Sequence, residues 1–128
     1  MKLLIDTHTF LWFVNNVTTL SPKGKDLIEN PDNEIFLSIA SLWEIGIKVS
    51  TGKLKLEQPF QVFIDQQLAI NNFSILNIAI PHITTVASLP FHHRDPFDRM
   101  MVAQALVEQI PIISRDAALD AYGITRLW

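Results

Sequence analysis

Short apolar runs recur along this chain, separated by segments whose apolar residues return every three or four positions. Residues 2–5, 34–39, 74–78, 110–114 and 124–127 carry apolar side chains at mostly successive positions. Runs that short and continuous fit strands buried on both faces. The segments between them carry helix signals. Ser21-Pro22 reads as an N-cap followed by proline at the first helical position. Ser41-Leu-Trp-Glu44 has capping-box spacing and predicts a helix start there. Thr51-Gly52 ends that helix, glycine supplying a left-handed residue. Residues 60–71 form a further amphipathic segment, Ile80-Pro81 opens a short helix, and Asp95-Pro96 opens a longer one to about Gln109. A last short helix covers 116–122 and stops at Gly123.

Alternation of strand and helix predicts an α/β fold: a three-layer sandwich with a mostly parallel sheet of about five strands and helices on both faces. Right-handed crossovers send the strands the same way, and ligands in such sheets bind beyond the carboxyl ends, near the point where strand order reverses. The residues that follow strand ends are therefore the candidates for chemistry.

Asp6 directly follows Leu3-Leu4-Ile5, and Asp116 comes two residues after Ile112-Ile113-Ser114. Glu44 lies one turn into the helix after the second strand, and Asp98 lies in the first turn of the helix that feeds the fourth. If the first and fourth strands are neighbours, all four carboxylates face one hollow. Two unit charges about 4 Å apart repel by roughly 4 kcal/mol at an effective dielectric near 20. Such a cluster takes up protons or a cation. An all-oxygen site suits Mg²⁺ or Mn²⁺, which can activate water for in-line attack on a phosphodiester.

Each acid also has a structural reading. Glu44 completes the capping box with Ser41, Asp98 favours the helix dipole, and Asp116 caps the last helix in competition with Ser114. Asp6, wedged between a buried strand and Phe10-Leu11-Trp12-Phe13, has little packing use and is the acid most in need of a functional role. Asp95 and Asp98 divide the work of their helix start. Proline is favoured at the first helical position, so Asp95 before Pro96 is the N-cap and Asp98 is free for a metal.

Thr7 and Ser114 could orient carboxylates or bond locally to backbone. His8, His92 and His93 could touch phosphate or move protons, although a lone histidine is more often structural, and no histidine pair has helical ligand spacing. Arg94, Arg99 and Arg115 could hold a substrate backbone; solvated or ion-paired arginines are the plainer reading. Trp12, Trp43 and Phe97 could stack on bases, but such residues more often fill a core or an interface. Phe10 to Val14 with Phe60 and Phe63 could form a groove for an amphipathic partner helix or the dimer mate, or simply be buried.

Composition narrows the classes. The 128 residues are long enough for one domain spanning 1–128 with a sizeable core, and the hydrophobic fraction of 48% fits a globular chain. A net charge of −3 rules out broad basic binding to nucleic acid. The chain has no cysteine, which removes thiol nucleophiles, disulfides and Cys-ligated zinc. MKLLID meets an acid too early for a signal peptide, and FLWFV is too short to span a bilayer, so a cytoplasmic protein without membrane association is expected.

Four pieces, LLIDTHTFLW, SIASLWEIGIK, HRDPFDRMMVAQA and IPIISRDAAL, resemble the PIN-domain family, in particular the VapC-like toxins of type II toxin–antitoxin pairs. They occur in the family's order across nearly the whole chain. The resemblance implies a Rossmann-like parallel sheet, Mg²⁺-dependent ribonuclease activity, and an acidic site at Asp6, Glu44, Asp98 and Asp116. It also implies an antitoxin partner and a homodimer. Where many relatives offer one acid, DPFDR offers two; aligning Ala103 with the small residues of the family's helix favours Asp98. Three other readings compete. A catalytically silent module on the same fold is disfavoured by the presence of all four acids. A receiver-type signalling domain would want paired acids after the first strand and a lysine after the last. A haloacid-dehalogenase-like phosphatase would want an aspartate where His8 stands.

Overall fold

The computed structural model describes residues 1–128. Its elements run β1 (Lys2–Ile5), α1 (Thr7–Val14), α2 (Pro22–Glu29), β2 (Glu34–Ser38), α3 (Ile39–Ser50), α4 (Phe60–Asn71), β3 (Ser74–Leu76), α5 (Ile80–Ser88), α6 (Pro96–Glu108), β4 (Ile112–Ile113), a 3-10 helix (Ala117–Tyr122) and β5 (Arg126–Leu127). The five strands form one sheet in the order β3-β2-β1-β4-β5, and every pair is parallel. β1 is central, with Leu4 beside Ile112 and Ile5 beside Ile113 on one side and Ile35 to Leu37 on the other. The expected neighbourhood of the first and fourth strands is therefore present, and the strand order reverses between them.

Side chains alternate across a strand, so β1 feeds both faces of the sheet. Leu3 and Ile5 pack with Phe10, Ile28, Leu37, Ile45, Ile64 and Phe73. Leu4 packs on the opposite face with Met101, Ala105 and Ile112. Leu3, Leu4 and Ile5 are all fully buried. Burial on both faces is the physical origin of the continuous apolar run.

Several boundaries differ from the sequence expectation. β2 and β3 stop short of their apolar runs at the carboxyl end, where the chain leaves for the next element, while β4 and β5 begin later than theirs. The predicted helix start at Ser41 is wrong. Ser38 is the N-cap of α3, its hydroxyl accepting from the Ala40 N–H, so Ser41 and Glu44 lie inside the helix. The apolar segment after Asp6 is itself a helix, α1. The last short helix is 3-10 and ends at Gly123, whose φ of 73° is left-handed. In the segment Phe10 to Val14, Phe10 is fully buried, while Leu11 to Val14, Phe60 and Phe63 are half-buried and pack against the larger core, and Trp12 and Phe13 also line a hollow of about 300 Å³.

Candidate active site

β1 delivers Asp6 to the carboxyl edge of the sheet, and β4 delivers Ser114 and Asp116 beside it. α6 begins with its first turn toward the same edge and carries Asp98, while α3 carries Glu44. A hollow of about 370 Å³ opens at this edge, lined by Asp6, His8, Trp12, Arg115, Asp116 and Ala117.

Each acid is also tied to its own backbone or neighbours. Asp6 is buried and caps α1, its Oδ1 accepting from the Thr9 N–H at 2.8 Å. A helix cap is thus a structural use for Asp6 that the sequence reading did not find, and it leaves Oδ2 without a protein donor. Asp95 is the N-cap of α6, as the proline rule predicts, and its Oδ1 accepts from the N–H groups of Phe97 and Asp98. Asp98 is left unspent by the cap. Asp116 Oδ1 accepts from the Ala118 N–H at the start of the 3-10 helix, and the Asp116 N–H donates to Ser114 Oγ. Glu44 is buried between two partners: Thr7 Oγ1 donates to Oε1 at 2.7 Å, and Lys48 Nζ stands 2.9 Å from Oε2. Lys48 therefore supplies a counter-charge for Glu44 within one helical turn.

Asp98, Asp116 and His93 converge. One ligand atom from each lies within 4.8 Å of the others. Burial first, and then the charge of Asp95, push the Asp98 carboxyl up to about 7; His93 opposes this, and Asp6 and Glu44 add to it. The fields of Asp6 and Glu44 thus reach Asp98, and Asp116 meets it through His93, whereas the hollow itself is lined by Asp6 and Asp116 but not by Asp98 or Glu44. Asp98 Oδ1 and Asp6 Oδ2 have no hydrogen-bond donor from the protein. Carboxylate oxygens left undonated at a half-buried edge, one of them on a group that resists ionising, form a donor set that fits a hard divalent cation.

His93 is the residue the sequence reading undervalued. Its Nε2 lies 2.9 Å from Asp116 Oδ2 and 3.4 Å from Asp98 Oδ2. The signal available in sequence was its place two residues before the Asp95 cap, where its ring can meet the cap's own N–H. Arg99 departs from both readings given to it. It is buried and ion-pairs with nothing; its guanidinium donates to the carbonyls of Val86, Leu89 and Pro90 and lies 4.0 Å over the Phe91 ring. Arg94 and Arg115 are exposed. Trp12 packs on the core and on Trp128, whereas Trp43 is exposed and meets Phe97 edge to face at 5.3 Å.

The model of the PIN domain matches residues 3–124 of the chain. No curated protein matches it in sequence. Similar solved structures include VapBC2 from Rickettsia felis bound to a DNA fragment from its promoter, at 15% identity and a TM-score of 0.74, covering 99% of this chain and 98% of that one. VapBC-1 from nontypeable Haemophilus influenzae matches at 13% identity and a TM-score of 0.69, covering 99% and 97%. FitAcB from Neisseria gonorrhoeae matches at 16% identity and a TM-score of 0.63, covering 98% and 96%. At these identities the likeness is one of fold. The family match leaves the receiver-type reading without support.

Proposed function

Because this chain belongs to the PIN-domain family, we propose that residues 1–128 act as one PIN-like domain that hydrolyses RNA phosphodiester bonds with Mg²⁺, or Mn²⁺ in its place. The observation that carries this reading is the meeting of Asp98 and Asp116 from separate elements, with Asp98 held near neutral pKa by burial and by neighbouring acids. In the reading, Asp6, Asp98, Asp116 and Glu44 hold the cation, which when bound lowers the pKa of water and offsets charge building on the phosphate. The chain's own groups do the rest. Thr7 fixes the Glu44 carboxylate, Lys48 balances it, and the Asp6 cap fixes that carboxylate against α1. Arg115, which lines the hollow, and Arg94, exposed next to His93 in the chain, are the side chains available to bind the phosphate backbone.

The role we infer is that of a toxin in a toxin–antitoxin pair, working in the cytoplasm as a homodimer and silenced by a cognate antitoxin protein. Its support is the resemblance in fold to the VapBC and FitAcB structures along nearly their full length. No helix is long and apolar enough to cross a membrane.

The test is incubation of the purified chain with mixed single-stranded RNA, and separately with DNA, in Mg²⁺, Mn²⁺ or EDTA, with Asp6→Asn alongside. Cleavage of RNA that needs metal and disappears with Asp6→Asn is the expected result. Metal binding without cleavage of the pool would direct the search to one structured RNA. Neither cleavage nor metal binding would leave a catalytically silent binding module.

A further inference from the structure

By distance alone, His93, Asp98 and Asp116 could share one cation, with the imidazole as a ligand. The far side of the ring argues otherwise. The backbone N–H of Asp95 donates to His93 Nδ1 over 3.1 Å. A ring nitrogen that accepts a hydrogen bond keeps its lone pair and carries no proton, so the proton of the neutral ring sits on Nε2. His93 therefore presents an N–H, not a lone pair, to Asp116 Oδ2 at 2.9 Å. To ligate a cation through Nε2, the ring would have to lose its last proton or break the bond from Asp95. That bond is well anchored: Asp95 caps α6 with its own carboxylate and is followed by Pro96 at the first helical position.

The chain uses the same wiring a second time, away from the acids. The Ala79 N–H donates to His82 Nδ1 at 3.0 Å, and His82 Nε2 lies 3.0 Å from Glu108 Oε1. In both places a helix-start N–H fixes the tautomer and the opposite nitrogen grips a carboxylate.

We propose that His93 is a positioning residue for the metal centre and not one of its ligands. It holds Asp116 through Nε2–H and leaves the donor set all oxygen. The proposal rests on the metal-dependent reading given above. An all-oxygen set with a fixed carboxylate favours hard cations over those that prefer imidazole. Partners that orient a ligand change metal affinity about 10-fold to 100-fold when removed.

The test uses the full chain, in two parts. Nitrogen-15 spectra of the histidine rings are recorded without metal and with saturating Mg²⁺, His82 serving as an internal control for the same tautomer. Calorimetry with Mn²⁺ then compares the unsubstituted protein with His93→Gln and His93→Ala, each checked for folding by circular dichroism. The expected result is that His93 Nε2 keeps its proton when Mg²⁺ is bound. His93→Gln, whose amide N–H can stand in for Nε2–H, should hold Mn²⁺ within about 3-fold, while His93→Ala weakens it about 10-fold. Loss of the Nε2 proton on Mg²⁺ binding would overturn the proposal, as would equal weakening by glutamine and alanine. If the unsubstituted protein takes up neither cation, the metal-dependent reading fails and this proposal falls with it. That outcome is read from the unsubstituted protein alone, so the two failures are told apart.

Discussion

Thr7 Oγ1 stands 2.7 Å from Glu44 Oε1, a buried hydroxyl of α1 donating to a buried carboxylate of α3. The bond ties two helices across the carboxyl edge of the sheet, 37 residues apart in sequence. Thr7→Val keeps the shape and removes the donor, leaving a buried carboxylate oxygen short of a partner. We expect a loss of about 1–3 kcal/mol in urea unfolding. Mn²⁺ affinity should fall about 10-fold, read by calorimetry. Unchanged affinity in a folded variant would remove Glu44 from the proposed metal site.

Asp95 and Asp98 should separate cleanly on substitution. Asp95→Ala removes the α6 cap and should cost about 1 kcal/mol of stability. The variant should retain most of its metal affinity. Asp98→Asn leaves the cap in place and should abolish RNA cleavage. A reversal of these two outcomes, read by urea melts and cleavage assays, would reassign the ligand to Asp95.

The Asp98 carboxyl also makes metal-free stability depend on pH. Its folded pKa of about 7 lies above the ordinary value of 3.8. The folded state therefore holds the proton more tightly than the unfolded state. That contribution is fully present below pH 3.8 and is lost as pH rises through about 7. In the presence of EDTA, Asp98→Asn should match the unsubstituted protein near pH 3, below the ordinary carboxyl value, and a gap should open as pH rises from there through about 7. At pH 8 it should exceed it by ~2 kcal/mol, a figure reduced for the partial exposure of the group. Thermal melts at the two pH values check this, and saturating Mg²⁺ should narrow the gap at pH 8.

Arg99 makes a prediction of stability alone. Its buried guanidinium serves the carbonyls at the end of α5 and the chain leading to His93. Arg99→Met fills much of the volume but strands those carbonyls. We expect a loss of about 2–3 kcal/mol in urea unfolding. Equal stability would show that water replaces the guanidinium without cost.

The pattern of the chain made the sheet legible because burial on both faces leaves an unbroken apolar run, and Leu3-Leu4-Ile5 serves two cores at once. The neighbouring of β1 and β4, on which the grouping of Asp6 with Asp116 depended, was a condition that residue order left open, and the sheet order meets it. Local ambiguity defeated the reading elsewhere. Both Ser38 and Ser41 can start a helix; Ser38 wins because Ala40 offers it an N–H, while the Ser41 hydroxyl turns inward to Met101 Sδ. Lys48 lies one turn beyond Glu44, a spacing open to view in sequence, yet whether it balances a buried acid depends on the depth of α3. The tautomer of His93 depends on a loop geometry that residue order does not display.

The sheet ends in short edges. β3 contributes three residues on one side and β5 two on the other. Little unpaired backbone is left there for another chain to extend as an added strand, a mode of association that needs a long free ladder. The helical layers and the carboxyl edge, with their side chains, are the broader surfaces the fold presents instead. Surface shape and charge on those layers can diverge without disturbing the sheet beneath.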